Sequence, residues 1–252
     1  MGSDDLFKKR REARTQRKHE YKPPKANSYL IVTEGERTEP LYFKGMQKLI
    51  QEKVGGVVDI IEQPLIDVHG EGCSTTRLVE VADQIIKDAK IIYQNVWIVF
   101  DKDDFDDFDQ AIQEAINRGY NVAWSNQSFE YWLYLHFYYN DSALHRHQWN
   151  AKLDEIFKKN NLGDGTYQKN YDDIYSLVDI YGGVTVAIKH AKRRMAEFER
   201  GGYKPSEYDP GTMVWCCTIK VDIENSKGQY IEKDKQEATK DGSESTKIQH
   251  GI

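Results

Sequence analysis

The feature that most constrains this fold is a short apolar run that ends in a group of acids. Residues 96–100 are continuously apolar and rich in β-branched side chains, and Asp101, Asp103 and Asp104 follow them almost at once. A run of this length and composition predicts a strand buried on both faces of a sheet. Because ligands of open α/β sheets bind beyond the carboxyl ends of the strands, these acids stand where a functional site is expected.

Strand and helix patterns alternate around this run. The strand-like stretches are residues 29–33, 57–61, 96–100 and 121–124, and a helical pattern follows each of them. This alternation predicts an α/β fold with a mostly parallel sheet and helices on both of its faces.

The composition divides the chain into four segments. Residues 1–27 form a basic N-terminal arm, 28–139 the α/β domain, 140–223 a smaller helical lobe and 224–252 a polar tail that we expect to be disordered. Within the lobe, helical spacing is evident over 149–159, 171–180 and 185–200. Residues 211–221 fit either a final edge strand or the end of the lobe.

Acidic residues follow three of the predicted strands. Glu34 follows the first strand, Asp101 and Asp103 follow the third, and Glu130 lies in the first turn of the helix after the fourth. Parallel strands bring these positions to one edge of the sheet. Carboxylate oxygens suit Mg²⁺ or Mn²⁺, which can polarise a phosphodiester and activate water. The alternative is a set of solvated acids that favour helix N-termini.

Three motifs make the pattern more specific. Ile-Val-Thr-Glu-Gly-Glu-Arg-Thr-Glu at 31–39 and Val-Phe-Asp-Lys-Asp-Asp at 99–104 resemble the Toprim pattern, in which a Glu follows one strand and Asp-x-Asp a later one. With Trp-Ser-Asn-Gln-Ser-Phe-Glu at 124–130, the chain resembles the RloB family of Toprim proteins from bacterial restriction and phage-defence loci, over roughly residues 8–221. One departure is Gln127, where family members usually have Pro.

The resemblance implies a compact α/β protein that binds Mg²⁺ (or Mn²⁺) and cuts phosphodiesters of DNA or RNA, tRNA included, in antiviral defence. Asp101 and Asp103 are expected to hold the metal, Glu34 to complete the site or act as general base, and Glu130 to be the fourth acidic ligand of the metal. Lys189 or Arg193 is expected to stabilise charge on the phosphate.

Two groups of basic residues are candidates for nucleic-acid binding. Lys189 and Arg193 are one helical turn apart and could face a phosphate together. The basic arm could bind the phosphate backbone. The predicted nucleic-acid-binding residues are Lys8, Lys9, Arg10, Arg11, Arg14 and Arg193. Because an ungated nuclease would harm its host, a further partner is expected, and the resemblance suggests a defence-system ATPase encoded nearby.

Two other functions also fit the sequence. A haloacid-dehalogenase-like phosphatase also places Asp-x-Asp after a strand and Ser or Thr after the next; Asp101 would then be the nucleophile, with Ser125 beyond it. That hypothesis gives Glu34 no role, and Phe105 stands where Thr or Val is usual. The other alternative is a non-catalytic Toprim-like module that binds nucleic acid or a partner.

Net charge, cysteine content and hydropathy argue against several classes of protein. The net charge of −6 argues against coating of nucleic acid by the whole surface. The cysteines are odd in number and form no Cys-x-x-Cys pair, so we expect no disulfide and a cytoplasmic location. No apolar run approaches the length of a membrane span, and the charged N-terminus predicts no signal peptide.

Overall fold

The computed structural model describes residues 24–54, 57–62, 75–102, 106–199 and 201–218. Its regular elements, in chain order, are β1 (Pro24–Thr33), α1 (Thr38–Val54), β2 (Val57–Glu62), α2 (Thr75–Asp88), β3 (Ile92–Asp101), α3 (Phe108–Asn117), β4 (Asn121–Asn126), α4 (Phe129–Leu135), α5 (Arg146–Asn160), α6 (Ile174–Tyr181), α7 (Val184–Phe198) and β5 (Gly211–Thr212). The predicted ligand Asp103, the basic residues between 8 and 14, and the predicted tail lie outside the described residues.

The five strands form one sheet in the order β2-β1-β3-β4-β5. The pairs β1–β2, β1–β3 and β3–β4 are parallel, whereas β4–β5 is antiparallel. The predicted α/β fold with a mostly parallel sheet is therefore confirmed. β1 begins earlier than predicted, because Pro24 and Lys25 pair with Ile92 and Tyr93 at the start of β3.

Alternating side chains of the central strands enter two cores on opposite faces of the sheet. Tyr29 and Ile31 of β1 pack with α1, α4, α5 and α6, whereas Leu30 and Val32 pack with α2 and α3. All four side chains are fully buried. A continuous apolar strand is thus explained by a sheet that is covered on both faces.

The C-terminal part of the chain packs into the same core as the sheet. Trp149, Ile174 and Val184, from α5, α6 and α7, belong to the cluster that contains Tyr29. The sequence of residues 211–221 fits either an edge strand or the end of the helical lobe. The structure has both there: β5 pairs with β4, and residues 214–218 are helical. Within the described part of the chain, no helix is both long and apolar enough to cross a membrane.

Candidate active site

The site begins where two adjacent parallel strands, β1 and β3, end. The Glu34 N–H donates to the Val99 carbonyl at 2.8 Å, so the strand ladder continues into the residue that carries the first acid. The Asp101 N–H then donates to Glu34 Oε2 at 3.2 Å. Glu34 and Asp101 therefore lie side by side at the carboxyl edge of the sheet.

Asp101 also connects β3 to the start of α4. Its Oδ2 accepts a hydrogen bond from the Phe129 N–H at 3.0 Å. The next residue, Glu130, is only 2 % exposed and faces the same cavity as Asp101. The structure thus brings together Glu34, Asp101 and Glu130, three of the acids that the sequence singles out.

A fourth acid, Glu39, joins them from the first turn of α1. It is buried and lines the cavity beside Asp101. Its carboxylate lies against Gly35, so a larger residue at position 35 would require the Glu39 side chain to move. Glu39 is not among the acids predicted from the sequence, because an acid in a first helical turn is ordinarily explained by the helix dipole.

The clustered acids raise the energy of the charged form of Asp101. Burial raises the pKa of Asp101 well above its usual range, and the negative charges of Glu39, Glu130 and Glu34 raise it further. The Phe129 N–H acts in the opposite direction. A cation among these carboxylates would offset both the burial and the repulsion.

A loop between α5 and α6 closes one side of the site. Tyr167 in this loop is buried, and its hydroxyl donates to Glu130 Oε1 at 3.2 Å. Lys169 Nζ lies 2.9 Å from the same oxygen. Although burial disfavours its charge, attraction to Glu130 raises the pKa of Lys169 above the usual value. The lysine therefore remains an ammonium beside the acids.

These elements enclose a cavity of about 290 Å³. Its lining residues are Gly35, Glu36, Arg37, Thr38, Glu39, Asp101, Glu130 and Lys169. This volume is near the lower end of the ~300–1,000 Å³ usual for small-molecule sites. It suits a phosphate group with a hydrated cation better than a whole nucleotide.

The carboxylate oxygens of these acids are chemically suited to a small divalent cation, since Mg²⁺ and Mn²⁺ prefer oxygen ligands. Among the described residues, no three His, Cys, Asp or Glu side chains are arranged as a metal-binding group. Asp103, the expected partner of Asp101, lies outside those residues. Glu34 and Asp101 would hold the cation from the described part of the chain.

Two predicted basic residues lie on α7 and are not among the described residues that line the cavity. Lys189 is exposed. The Arg193 guanidinium lies over the Tyr139 ring, 3.9 Å from its centroid. The structure therefore brings Lys169, and not Lys189, to the clustered acids. No periodic pattern marks the loop that carries Lys169, so the sequence offered no signal for it.

Comparison with known proteins identifies the family. The chain matches no curated protein and no solved structure. Residues 29–219, well over half of the chain, match the family model described as RloB-like protein. The matched span contains every residue that lines the cavity, from Gly35 to Lys169, and also Glu34. The chain belongs to the RloB-like protein family.

Proposed function

We propose that this protein is a Toprim-type nuclease that cleaves phosphodiesters of DNA or RNA with a divalent cation. The observation that carries the proposal is the packing of Glu34, Glu39 and Glu130 around the Asp101 carboxyl at the carboxyl edge of the sheet. A protein gains little from burying like charges together unless a cation offsets them. Membership in the RloB-like family supports the same proposal.

In this proposal, Glu34, Asp101 and Asp103 hold Mg²⁺ or Mn²⁺. The bound cation would polarise the phosphodiester and lower the pKa of an attacking water. Asp101 is held in place by the Phe129 N–H, and Glu34 by the Asp101 N–H. Glu34 has two proposed roles: to ligate the cation, or to accept the proton of the attacking water.

The geometry favours a nuclease over the phosphatase alternative. That alternative requires the Ser125 hydroxyl to face the phosphate. Ser125 is fully buried, and its Oγ lies 3.0 Å from Thr212 Oγ1 on β5. Glu34, which has no function in such a phosphatase, is hydrogen-bonded to Asp101. Both observations support phosphodiester cleavage by the acids at the sheet edge.

The proposed nuclease would have a nucleic-acid substrate and a regulatory partner. The nucleic acid would be bound in part by the basic arm, whose positive charge contrasts with the net charge of −6. The resemblance suggests a role in antiviral defence. It also suggests that an ATPase encoded nearby regulates the nuclease.

To test this function, the purified protein is incubated separately with DNA, mixed RNA and tRNA. Each reaction is run in Mg²⁺, in Mn²⁺ and in EDTA. We expect cleavage of at least one nucleic acid in Mg²⁺ or Mn²⁺ and none in EDTA, because the cation supplies the charge stabilisation. We also expect beryllofluoride with Mg²⁺ to form no aspartyl adduct, as measured by fluorine NMR. An adduct at Asp101 would favour the phosphatase, and binding without cleavage would favour the non-catalytic module.

A further inference from the structure

Lys169 is held at the cavity by contacts on either side of it. Its backbone carbonyl accepts a hydrogen bond from Thr38 Oγ1 at 3.1 Å, which ties the loop to the start of α1. Two residues earlier, the Tyr167 N–H donates to Asp154 Oδ1 on α5 at 2.7 Å, and the Tyr167 hydroxyl donates to Glu130. The position of the lysine is therefore defined by three separate elements.

The ion pair between Lys169 and Glu130 is asymmetric. The Glu130 side chain is 2 % exposed, whereas that of Lys169 is 57 % exposed. The carboxylate thus lies on the inner side, and the ammonium lies at the mouth of the cavity. An ammonium has three donors, and its contact with Glu130 uses one of them. The others can contact a ligand that enters the cavity.

Glu130 is held by two side chains of the loop between α5 and α6. Its Oε1 is engaged by both the Tyr167 hydroxyl and the Lys169 ammonium. An oxygen with these two donors is a poor ligand for a cation, since the ammonium would repel the metal. A carboxylate held in this way serves better to orient the lysine.

We propose that Lys169 contacts the phosphate group of the substrate, and that Glu130 is a positioning residue that holds the ammonium in place and is not a metal ligand. This inference rests on the proposed nuclease function and assigns Lys169 a role in the same site. Lysine binds phosphate as a point charge. Lys169 thereby takes the role that the sequence pattern predicted for Lys189.

The kinetic test compares Lys169→Met, which keeps the length of the side chain but removes its charge, with Lys169→Arg. We expect Lys169→Met to lower kcat/KM about 100-fold, as for the loss of one charge-stabilising donor. Lys169→Arg should recover most of that loss. Lys158→Met, at an exposed position near the end of α5, is the matched control and should behave like the wild type.

A double variant separates a catalytic role from a structural one. Lys169→Met alone leaves the buried Glu130 carboxylate without its cation and should lower Tm. Adding Glu130→Gln removes the buried charge and should restore Tm, but not cleavage. Recovery of cleavage along with Tm would show that Lys169 only neutralises Glu130, and would overturn the proposal. Loss of cleavage in Lys189→Met but not in Lys169→Met would overturn it as well.

A ligand-binding measurement distinguishes this inference from the nuclease proposal. Inorganic phosphate with Mg²⁺ should raise Tm of the wild type and of Lys158→Met, but not of Lys169→Met, because only a bound ligand stabilises the fold. That result would support the phosphate contact even if no nucleic acid is cut. The inference would be contradicted if phosphate with Mg²⁺ raised Tm of the wild type and of Lys169→Met equally, or did not raise Tm of the wild type. Either result would leave the nuclease proposal standing.

Discussion

Asp101→Asn should lower metal-dependent cleavage by at least about 1,000-fold, because a metal contributes several kcal/mol and each 1.4 kcal/mol is a factor of ten in rate. The same change should leave the free energy of unfolding unchanged or raise it. Asn keeps an oxygen that can accept from the Phe129 N–H, and it removes a negative charge that faces Glu34, Glu39 and Glu130. Glu34→Gln should lower cleavage by a similar factor.

The measurements are initial cleavage rates in Mg²⁺ and urea unfolding of each variant. Asp141→Asn and Glu80→Gln remove the same charges at exposed positions and should match the wild type in both assays. A variant at Asp101 that cleaves as fast as the wild type would refute catalysis at this edge of the sheet. A large loss of stability would instead assign Asp101 a structural role.

Acidification should destabilise the fold through His136, which is fully buried. Its Nδ1 lies 3.0 Å from the Trp132 carbonyl and its Nε2 3.2 Å from the Tyr42 hydroxyl, so the neutral ring donates through Nδ1 and accepts through Nε2. Burial lowers the pKa of His136 from 6.5 to about 4. Protonation would place a charge, and a second donor, against the Tyr42 hydroxyl.

The sign of the pH effect follows from which state binds the proton. Above the unfolded-state pKa of 6.5 both states are neutral at this residue, and its contribution to stability is complete. As the pH falls towards about 4, the unfolded chain takes up a proton that the folded protein does not. At about 1.4 kcal/mol for each pKa unit, His136 should account for the loss of roughly 3 kcal/mol of the free energy of unfolding.

Urea unfolding between about pH 7 and pH 4 measures this loss. His136→Gln can replace both hydrogen bonds with an amide that does not titrate, so it should flatten the pH dependence of stability even if it lowers stability at neutral pH. His147→Gln, at an exposed position on α5, is the matched control and should keep the dependence of the wild type. Equal pH dependence in the wild type and His136→Gln would contradict the prediction.

The sheet and its acidic edge were predictable because their signals are local. Residues 96–100 form an uninterrupted apolar, β-branched run, which is typical of a strand covered on both faces. Alternating strands and helices favour a largely parallel sheet, in which acids that follow strands share one edge. Glu34 and Asp101 lie together for this reason.

The other side of the cavity could not be predicted, because it is built from long-range contacts. The hydrogen bond from Thr38 to the Lys169 carbonyl joins residues 131 positions apart. Tyr167 and Lys169 lie in an irregular loop with no hydrophobic period to place them. Helical spacing did predict the helix of Lys189, but spacing shows only that its neighbours share a face, not what that face contacts.

The most direct test of the proposed metal centre is anomalous diffraction from crystals of the protein in Mn²⁺. We expect a peak in the cavity that carboxylate oxygens of Glu34 and Asp101 contact at about 2.1 Å, the distance typical of a small hard cation. Glu130 should keep its contact with Lys169 and lie outside the coordination shell, and crystals of Asp101→Asn should lose the peak. A cavity without Mn²⁺ at a saturating concentration, or a peak that Asp101 does not contact, would contradict a metal-dependent nuclease at this site.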